Sequence, residues 1–285
     1  MAILVTGGDG YIGSHIVRIL EQAGLAAISV DLKTGLDIAS PRAVQELVKT
    51  IKDNEISSVI HLAAFKSVEE SVNSPSKYYL NNLNGLYNLL QAMRSCSIDK
   101  LVFSSSAAVY GIPESGIATE DSECNPINPY GKTKLIGEWM IRAACNEWGL
   151  NATCLRYFNV FGHGWEDLRD TSGNNLMPII QNHLDNNTSL PIFGNDYETK
   201  DGTCIRDYVN VMDLVEAHIL SLNNLSGFKV FNVGTGHGLT VLEIVSKFKE
   251  LKYHFEPRRP GDISSLVANV DKIRSDLNWI ATRSI

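Results

Sequence analysis

The sequence predicts an α/β protein: a doubly wound parallel sheet, followed by a smaller C-terminal α/β unit that binds substrate. Three observations carry this reading. Apolar runs of strand length alternate with amphipathic, helix-length segments through the first half. A glycine-rich turn follows the first run directly. From about Asn159 the alternation yields to short elements broken by Gly, Asn and Pro. That shift places a division near residue 160, with 1–160 as one domain and 161–285 as a second, their elements interleaved.

The elements follow in order. Ile3 to Val5 reads as a buried parallel strand. Gly7, Gly10 and Gly13 come next at G-x-x-G-x-x-G spacing, before a helical pattern from Ser14 to Ala23. A tight turn, close approach to a pyrophosphate and close helix–strand packing each exclude a Cβ. The helix N-terminus offers N–H groups and positive dipole to phosphates, so the turn reads as a Rossmann-type dinucleotide site. A second strand, Ala26 to Val30, ends at Asp31, eighteen residues past Gly13. An acid there suits a ribose 2′-hydroxyl and repels a 2′-phosphate, which favours NAD over NADP; Lys33 tempers that preference. A helix at Arg42–Asp53 precedes a strand at Ser58–Ala63 that ends in His-Leu-Ala-Ala (61–64). A long helix at Pro75–Arg94, a strand at Leu101–Ser105, a helix at Pro129–Trp148 and a short strand at Thr153–Arg156 complete the first half.

Chemistry concentrates in the helix at 129–148. Tyr130 and Lys134, four residues apart, share one helix face. A free tyrosine has a pKa of about 10 and is a poor base at neutral pH. A nearby ammonium favours the phenolate and brings it toward the range where it can take and return a proton. Ser104 to Ser106 end the preceding strand, and ligands of such sheets sit at the carboxyl ends of strands. A hydroxyl there can bind a substrate oxygen whose proton Tyr130 removes; a serine loop that only caps the next helix is the plainer alternative.

Composition narrows the partners. A net charge of −7 without a basic run gives no support for nucleic-acid binding. No stretch of about 18 apolar residues suggests a membrane span, and the chain enters its first strand at once, so no signal peptide is expected. Cys96, Cys124, Cys145, Cys154 and Cys204 form no C-x-x-C and are odd in number, which reads as free thiols in a reducing cytoplasm. The seven histidines are scattered, and no metal is expected.

Together these residues resemble the extended short-chain dehydrogenase/reductases, and within them the UDP-glucose 4-epimerase family, over nearly the whole chain. The resemblance rests on Gly-Tyr-Ile-Gly-Ser-His (10–15), Ser-Ser-Ser-Ala-Ala-Val-Tyr-Gly (104–111), Tyr-Gly-Lys-Thr-Lys (130–134), Leu-Arg-Tyr-Phe-Asn (155–159) and Asn-Asn-Leu-Met-Pro (174–178). The long run from Ile192 to Leu214 is the most specific part, and Tyr253 to Asp262 closes the set. The resemblance implies an isomerase of galactose metabolism with bound NAD, acting on a UDP-sugar through a 4-keto intermediate. It implies Ser106, Tyr130 and Lys134 as catalytic residues. It places Gly7, Gly10, Tyr11, Ile12, Gly13, Asp31, Asp37, Ile38, Leu62, Ala63, Ala64, Lys66, Asn82, Ser104, Tyr130, Lys134 and Tyr157 at the cofactor, with Asp37 and Ile38 near adenine. Ser106, Asn159, Asn175, Leu176, Phe193, Arg206, Arg259, Asp262 and Leu266 would contact substrate. The arginines suit diphosphate oxygens and Asp262 suits ribose hydroxyls, although each arginine taken singly reads as a surface ion pair. A homodimer is also implied, with a seam of apolar residues (Leu80, Leu83, Leu86, Leu89; Leu135, Trp139, Ala143); those stripes could equally face the subunit's own sheet.

The chain departs from the family at three points. Asp31 to Asp37 is too short for the customary element after the second strand. The third strand is expected to be minimal or lost, with an open adenosine rim and weaker NAD retention. The sequence ends at Ile285, where the family usually continues for another helix. Leu266 stands where a bulky aromatic commonly limits the sugar pocket, so turnover of the N-acetylated UDP-sugars is expected beside UDP-glucose and UDP-galactose. Ala107 and Ala108 follow Ser106, leaving no acid for a related dehydratase reaction. Two rival readings are a net nucleotide-sugar oxidoreductase, which would release reduced cofactor, and a non-catalytic nucleotide-binding protein, which would not require Ser106, Tyr130 and Lys134 together.

Overall fold

A computed structural model describes residues 2–173, 175–259 and 261–285. Asn174 and Pro260, each inside a motif quoted above, lie outside the described residues. The chain begins with β1 (Ala2–Thr6), α1 (Tyr11–Gln22), β2 (Ala26–Val30), α2 (Ala43–Asp53), β3 (Ile56–His61) and α3 (Val68–Asn73). Next come α4 (Pro75–Tyr78), a π-helical turn (Tyr79–Leu83), α5 (Asn84–Ser95), β4 (Lys100–Ser106), β5 (Ile117–Ala118) and α6 (Pro129–Trp148). Then follow β6 (Asn151–Tyr157), β7 (Asn159–Phe161), α7 (Leu176–Asp185), β8 (Leu190–Phe193), β9 (Ile205–Asn210) and α8 (Val211–Asn223). The last elements are β10 (Phe228–Val233), β11 (Gly238–Thr240), α9 (Val241–Val245), β12 (Tyr253–Glu256), β13 (Ser265–Ala268) and α10 (Asp271–Leu277).

Two compact units emerge. The first holds the residues up to Gly111 with Cys124–Arg156 and Val215–Phe231; the second holds Ile112–Glu123, Tyr157–Leu214 and Asn232–Ile285. Compared with a single division near residue 160, residues 112–123 join the second unit and 215–231 the first.

The first unit is built on a six-stranded sheet of order β10-β6-β4-β3-β1-β2. β1 pairs in parallel with β2 on one side and with β3 on the other, and β3 pairs in parallel with β4. This is the doubly wound parallel sheet the alternation predicts. The order reverses beside β1, so the ends of β1 and β3 open the crevice where such sheets bind ligands. The sheet stops at β2: Asp31 to Asp37 holds only a 3-10 turn at Leu32–Thr34, and among the described residues no further strand pairs with the outer side of β2. The core joins sheet to helices through Leu4, Val59, Leu101 and Ala152, with Leu47 of α2, Leu86 and Leu89 of α5, and Ile141 of α6. Of the stripes expected at a subunit seam, Leu86, Leu89 and Leu135 are buried within the chain itself, whereas Leu80 and Trp139 are 62% and 58% exposed.

The long helix expected at 75–94 is interrupted by its π turn, and Asn82 accounts for the interruption. Its amide donates to the Phe65 carbonyl (3.1 Å) and to Thr133 Oγ1 of α6 (3.0 Å), and its Oδ1 accepts from the Phe65 N–H (2.9 Å). Such turns often sit at functional sites.

The second unit has a sheet of order β11-β9-β13-β5, with β7 also on β9, and a separate parallel pair of β12 with β8. Its core gathers Phe161, Ile180, Leu190, Ile192, Tyr208, Ile244 and Val245. Asp213, fully buried, accepts from the Thr282 and Arg283 N–H groups and pairs with the Arg283 side chain, while Trp279 Nε1 donates to its carbonyl at 3.0 Å. Residues 279–283 are thereby tied to the start of α8.

Candidate active site

The glycine turn forms first. Gly7 takes φ +74°, and a Cβ there would lie 2.7 Å from the Ala63 nitrogen. A Cβ on Gly13 would lie 2.1 Å from the Gly7 carbonyl oxygen, and one on Gly8 would meet Ser29 Oγ at 2.4 Å. Gly8, which the spacing motif passed over, is more crowded than Gly10 of the motif, where a Cβ would come no closer than 3.2 Å to a neighbour. The N–H groups of Leu62 and Ala63 donate to the Thr6 carbonyl at 2.9 and 3.1 Å, holding β3's exit against β1's. α1 begins at Tyr11 with no side-chain cap and no acid in its first turn. Its leading N–H groups and dipole would suit an anion. These features fit the pyrophosphate of a dinucleotide.

Asp31 ends β2. Its Oδ1 accepts from the Lys33 N–H (3.0 Å), and Lys33 Nζ donates to the Asp9 carbonyl (2.8 Å) within the glycine turn. Asp37 Oδ1 caps Ala39, and Ile38, 8% exposed, packs into the core. Lys66 is exposed, with its Nζ 5.9 Å from the Tyr11 ring centre. Ala64 follows β3, partly buried. Asn82 is buried, its amide engaged by Phe65 and Thr133 as described.

α6 carries the reactive side chains for local reasons. Asn128 caps it, its Oδ1 accepting from the Gly131 N–H at 2.8 Å; Pro129 occupies the first turn, and Gly149 closes it in the left-handed region at φ +76°. Gly131 lets the first turn approach the 3-10 turn after Ser106, since a Cβ there would lie 2.5 Å from the Ala108 carbonyl oxygen. Tyr130 is hydrogen-bonded to Ser106, and Lys134 Nζ donates to the Ser104 carbonyl at 2.7 Å. The ammonium lies 5.1 Å from the Phe103 ring centre and 5.8 Å from that of Tyr130. The predicted trio is thus assembled at the carboxyl end of β4.

The electrostatics are not those of an ammonium simply lowering a phenol. Burial raises the Tyr130 pKa, opposed by the Ser106 hydrogen bond. Burial brings Lys134 down to about 7, opposed by Cys154 and Glu138. His61, at the end of β3, is held down at about 3 by burial and by Lys134, so it stays neutral. Its Nδ1 lies 2.6 Å from Thr6 Oγ1 and its ring stacks on Phe103. Sequence reading passed over His61 as one histidine among scattered ones.

Apart from Ser106, the expected substrate residues lie in the second unit, as does Tyr157, a buried residue ending β6. Phe193, Arg259 and Asp262 form one group: the Arg259 guanidinium lies 4.7 Å from the Phe193 ring centre and donates to Asp262 Oδ2 at 2.9 Å. Arg206 on β9 is in register with Leu266 on β13, and its Nη1 donates to the Ile205 carbonyl. Asn159 opens β7, opposite Tyr208. Asn175 precedes Leu176 at the start of α7 and donates to Asp170.

Comparisons with known proteins bear on this arrangement. A model of the NAD dependent epimerase/dehydratase family matches residues 3–234. The UDP-glucose 4-epimerase of Bacillus subtilis is 42% identical over 319 aligned positions, which cover 100% of this chain and 94% of that protein. A crystal structure of UDP-glucose-4-epimerase from Stenotrophomonas maltophila, with bound NAD and formylated UDP-arabinopyranose, is similar at a TM-score of 0.92 and 34% identity, covering 100% of this chain and 94% of the other. The UDP-Glc/GlcNAc 4-epimerase of Campylobacter jejuni is similar at 0.82 and 31%, covering 100% and 95%.

Proposed function

The chain belongs to the NAD dependent epimerase/dehydratase family, and from that premise we propose that it is an NAD-dependent 4-epimerase of UDP-hexoses, interconverting UDP-glucose and UDP-galactose. One observation carries the reading: Tyr130, Lys134, Ser104 and Ser106 converge at the carboxyl end of β4 in the same unit as an uncapped glycine-turn helix. Gly7, Gly8, Gly10 and Gly13, with the first turn of α1, would hold the NAD pyrophosphate, and Asp31 the adenosine ribose. Bound NAD supplies a reversible two-electron acceptor for sugar C4. Tyr130 takes the proton of the sugar 4-hydroxyl and later returns it. Ser106 bridges the phenol and that oxygen. Lys134 lends positive charge to the developing phenolate. Asn159, Asn175, Leu176, Phe193, Arg206, Arg259 and Asp262 are the proposed anchors of the uridine diphosphate. Fixing that end lets the 4-keto sugar present its other face. Leu266, less bulky than an aromatic, supports turnover of the N-acetylated pair as well. A homodimer is proposed through Leu80, Tyr87 and Trp139. No described helix is long and apolar enough to cross a membrane, and a cytoplasmic location is proposed with the free thiols.

The test is a proton NMR time course of the anomeric signals with UDP-galactose and, separately, UDP-N-acetylgalactosamine. Wild type and Tyr130→Phe are compared, each dialysed and assayed with and without added NAD. Wild type is expected to convert both substrates and the variant neither. The edge position of β2 leads us to expect dialysis to remove NAD and added NAD to restore the rate. Failure to convert UDP-galactose with NAD present overturns the reading.

A further inference from the structure

We infer that Glu138 is a positioning residue for this site: by clamping Ser105 it fixes the strand end whose neighbouring groups, the Ser104 carbonyl and the Ser106 hydroxyl, hold Lys134 and Tyr130. The inference rests on the proposed function only for its kinetic readout.

Tyr130, Lys134 and Glu138 are spaced four residues apart and form one ridge of α6 over three turns. Each turn engages one of three consecutive serines of β4. Tyr130 bonds Ser106, Lys134 bonds the Ser104 carbonyl, and Ser105 Oγ donates to Glu138 Oε1 at 2.5 Å. Glu138 is itself held. Its Oε1 accepts from Arg156 Nε (2.9 Å) and its Oε2 from Arg156 Nη2 (2.7 Å), and Arg156 Nη1 donates to the Tyr110 hydroxyl (2.9 Å). The Glu138 and Arg156 side chains are 4% and 6% exposed, so the pair is buried on both sides.

Such a pair is a poor way to add stability. Apolar residues of similar volume do as well or better, because desolvating two ions offsets their attraction. α6 already has an apolar anchor in Ile141 and Ala144. What apolar packing lacks is direction, and a bidentate guanidinium–carboxylate pair supplies it. The pair fixes where the Glu138 oxygens stand relative to β6, and Ser105 reads that position. A slip of the strand end would move the Ser104 carbonyl and the Ser106 hydroxyl together. The other titratable groups facing Lys134 are His61 on β3 and Cys154 on β6.

Ser105→Ala cuts the clamp and leaves the ion pair intact, whereas Ser105→Thr restores the hydroxyl. Glu138→Leu with Arg156→Leu removes both charges at once, so neither is stranded. Two readouts are made on the full chain: kcat and KM for UDP-galactose with saturating NAD, and an absorbance titration of the Tyr130 phenol, taken as the difference from each variant's Tyr130→Phe counterpart. In Ser105→Ala and the double variant, kcat is expected to fall about tenfold or more with KM within about twofold. The phenol midpoint is expected to rise by about half a unit as Lys134 and Ser106 drift from it. Ser105→Thr should return both. Unchanged kcat and midpoint in folded variants, or losses that only track a lower melting temperature and survive Ser105→Thr, overturn the inference. Should the double variant not fold, the Ser105 pair decides alone. If wild type does not epimerise, the functional reading fails by itself and the phenol titration still decides the positioning role.

Discussion

Tyr130 and Lys134 are best understood as one titrating pair. Burial disfavours both charged forms, raising the phenol and bringing the ammonium from 10.5 to about 7. The first proton therefore leaves the pair near neutrality, and the pair that has lost it exists as phenol with neutral amine or as phenolate with ammonium. The second form is the base the reaction needs. The acidic limb of kcat against pH is expected near 7, governed by the pair rather than by a free phenol. In Lys134→Met that limb should move upward, toward the phenol's own value, which burial raises. A rate profile from acid to alkaline pH checks this, and a variant limb still near 7 would refute it. The same shift has a stability consequence of defined sign. Between the folded value of about 7 and the unfolded value of 10.5, the unfolded chain binds more protons at Lys134. Wild-type stability therefore rises with pH across that window. Lys134→Met should melt above wild type at pH 7, and the gap should narrow toward pH 10.

At the scale of elements, α6 shows how backbone shape serves the site. Gly131→Ala would press a methyl group against the Ala108 carbonyl and Pro126. It should cost about 1–3 kcal/mol and also depress kcat, because the helix start and the turn after Ser106 move apart. Gly149→Ala is the control. Its Cβ would meet nothing within 4 Å, so only the strain of φ +76° is felt, a loss of about 1 kcal/mol with kcat unchanged. Urea unfolding and initial rates separate the two, and equal kcat losses would refute the argument. Much of this architecture was legible in the sequence. Apolar runs locate β1, β2, β3, β4 and β6, and the helix expected at Pro129–Trp148 is α6 with the same bounds. The π turn was not legible, because it depends on Asn82 reaching Phe65 and Thr133, partners far away in sequence. Glu138 and Arg156 were passed over because isolated charges read as solvated positions until tertiary structure pairs them. Gly8 escaped because its constraint is Ser29, on another strand. The substrate residues were legible through motif resemblance alone, since no local rule sets Asn175 or Arg206 apart from other surface polar residues.

At the scale of the whole molecule, the exposed apolar side chains of the first unit bear on assembly. Leu80, Tyr87 and Trp139 are 62%, 54% and 58% exposed, on the π turn, α5 and α6. Ala143, one turn past Trp139, is exposed as well. The chain buries Leu86, Leu89 and Leu135 from the same helices in its own core, so the exposed set is what remains of two faces after the protomer has folded. Large apolar residues left exposed can mark contact sites, and a two-fold seam is the simplest closed arrangement for identical chains. The exposed Arg94–Glu147 ion pair links α5 to α6 near their ends. Leu80→Glu with Trp139→Glu should therefore convert a dimer into a monomer by light scattering after gel filtration, because the seam would bring like charges together across the two-fold axis. Folding on its own should survive, since neither residue enters the core, and far-ultraviolet circular dichroism should be unchanged. The melting temperature of wild type, but not of the variant, should rise with protein concentration, as mass action requires of a stabilising dimer. A wild-type protein that elutes as a monomer, or a double variant that remains dimeric, would place the assembly surface elsewhere or remove it. Since Ser106, Tyr130, Lys134 and the glycine turn belong to one unit of one chain, the monomeric variant should still lose its activity on Tyr130→Phe, with no contribution from a partner subunit.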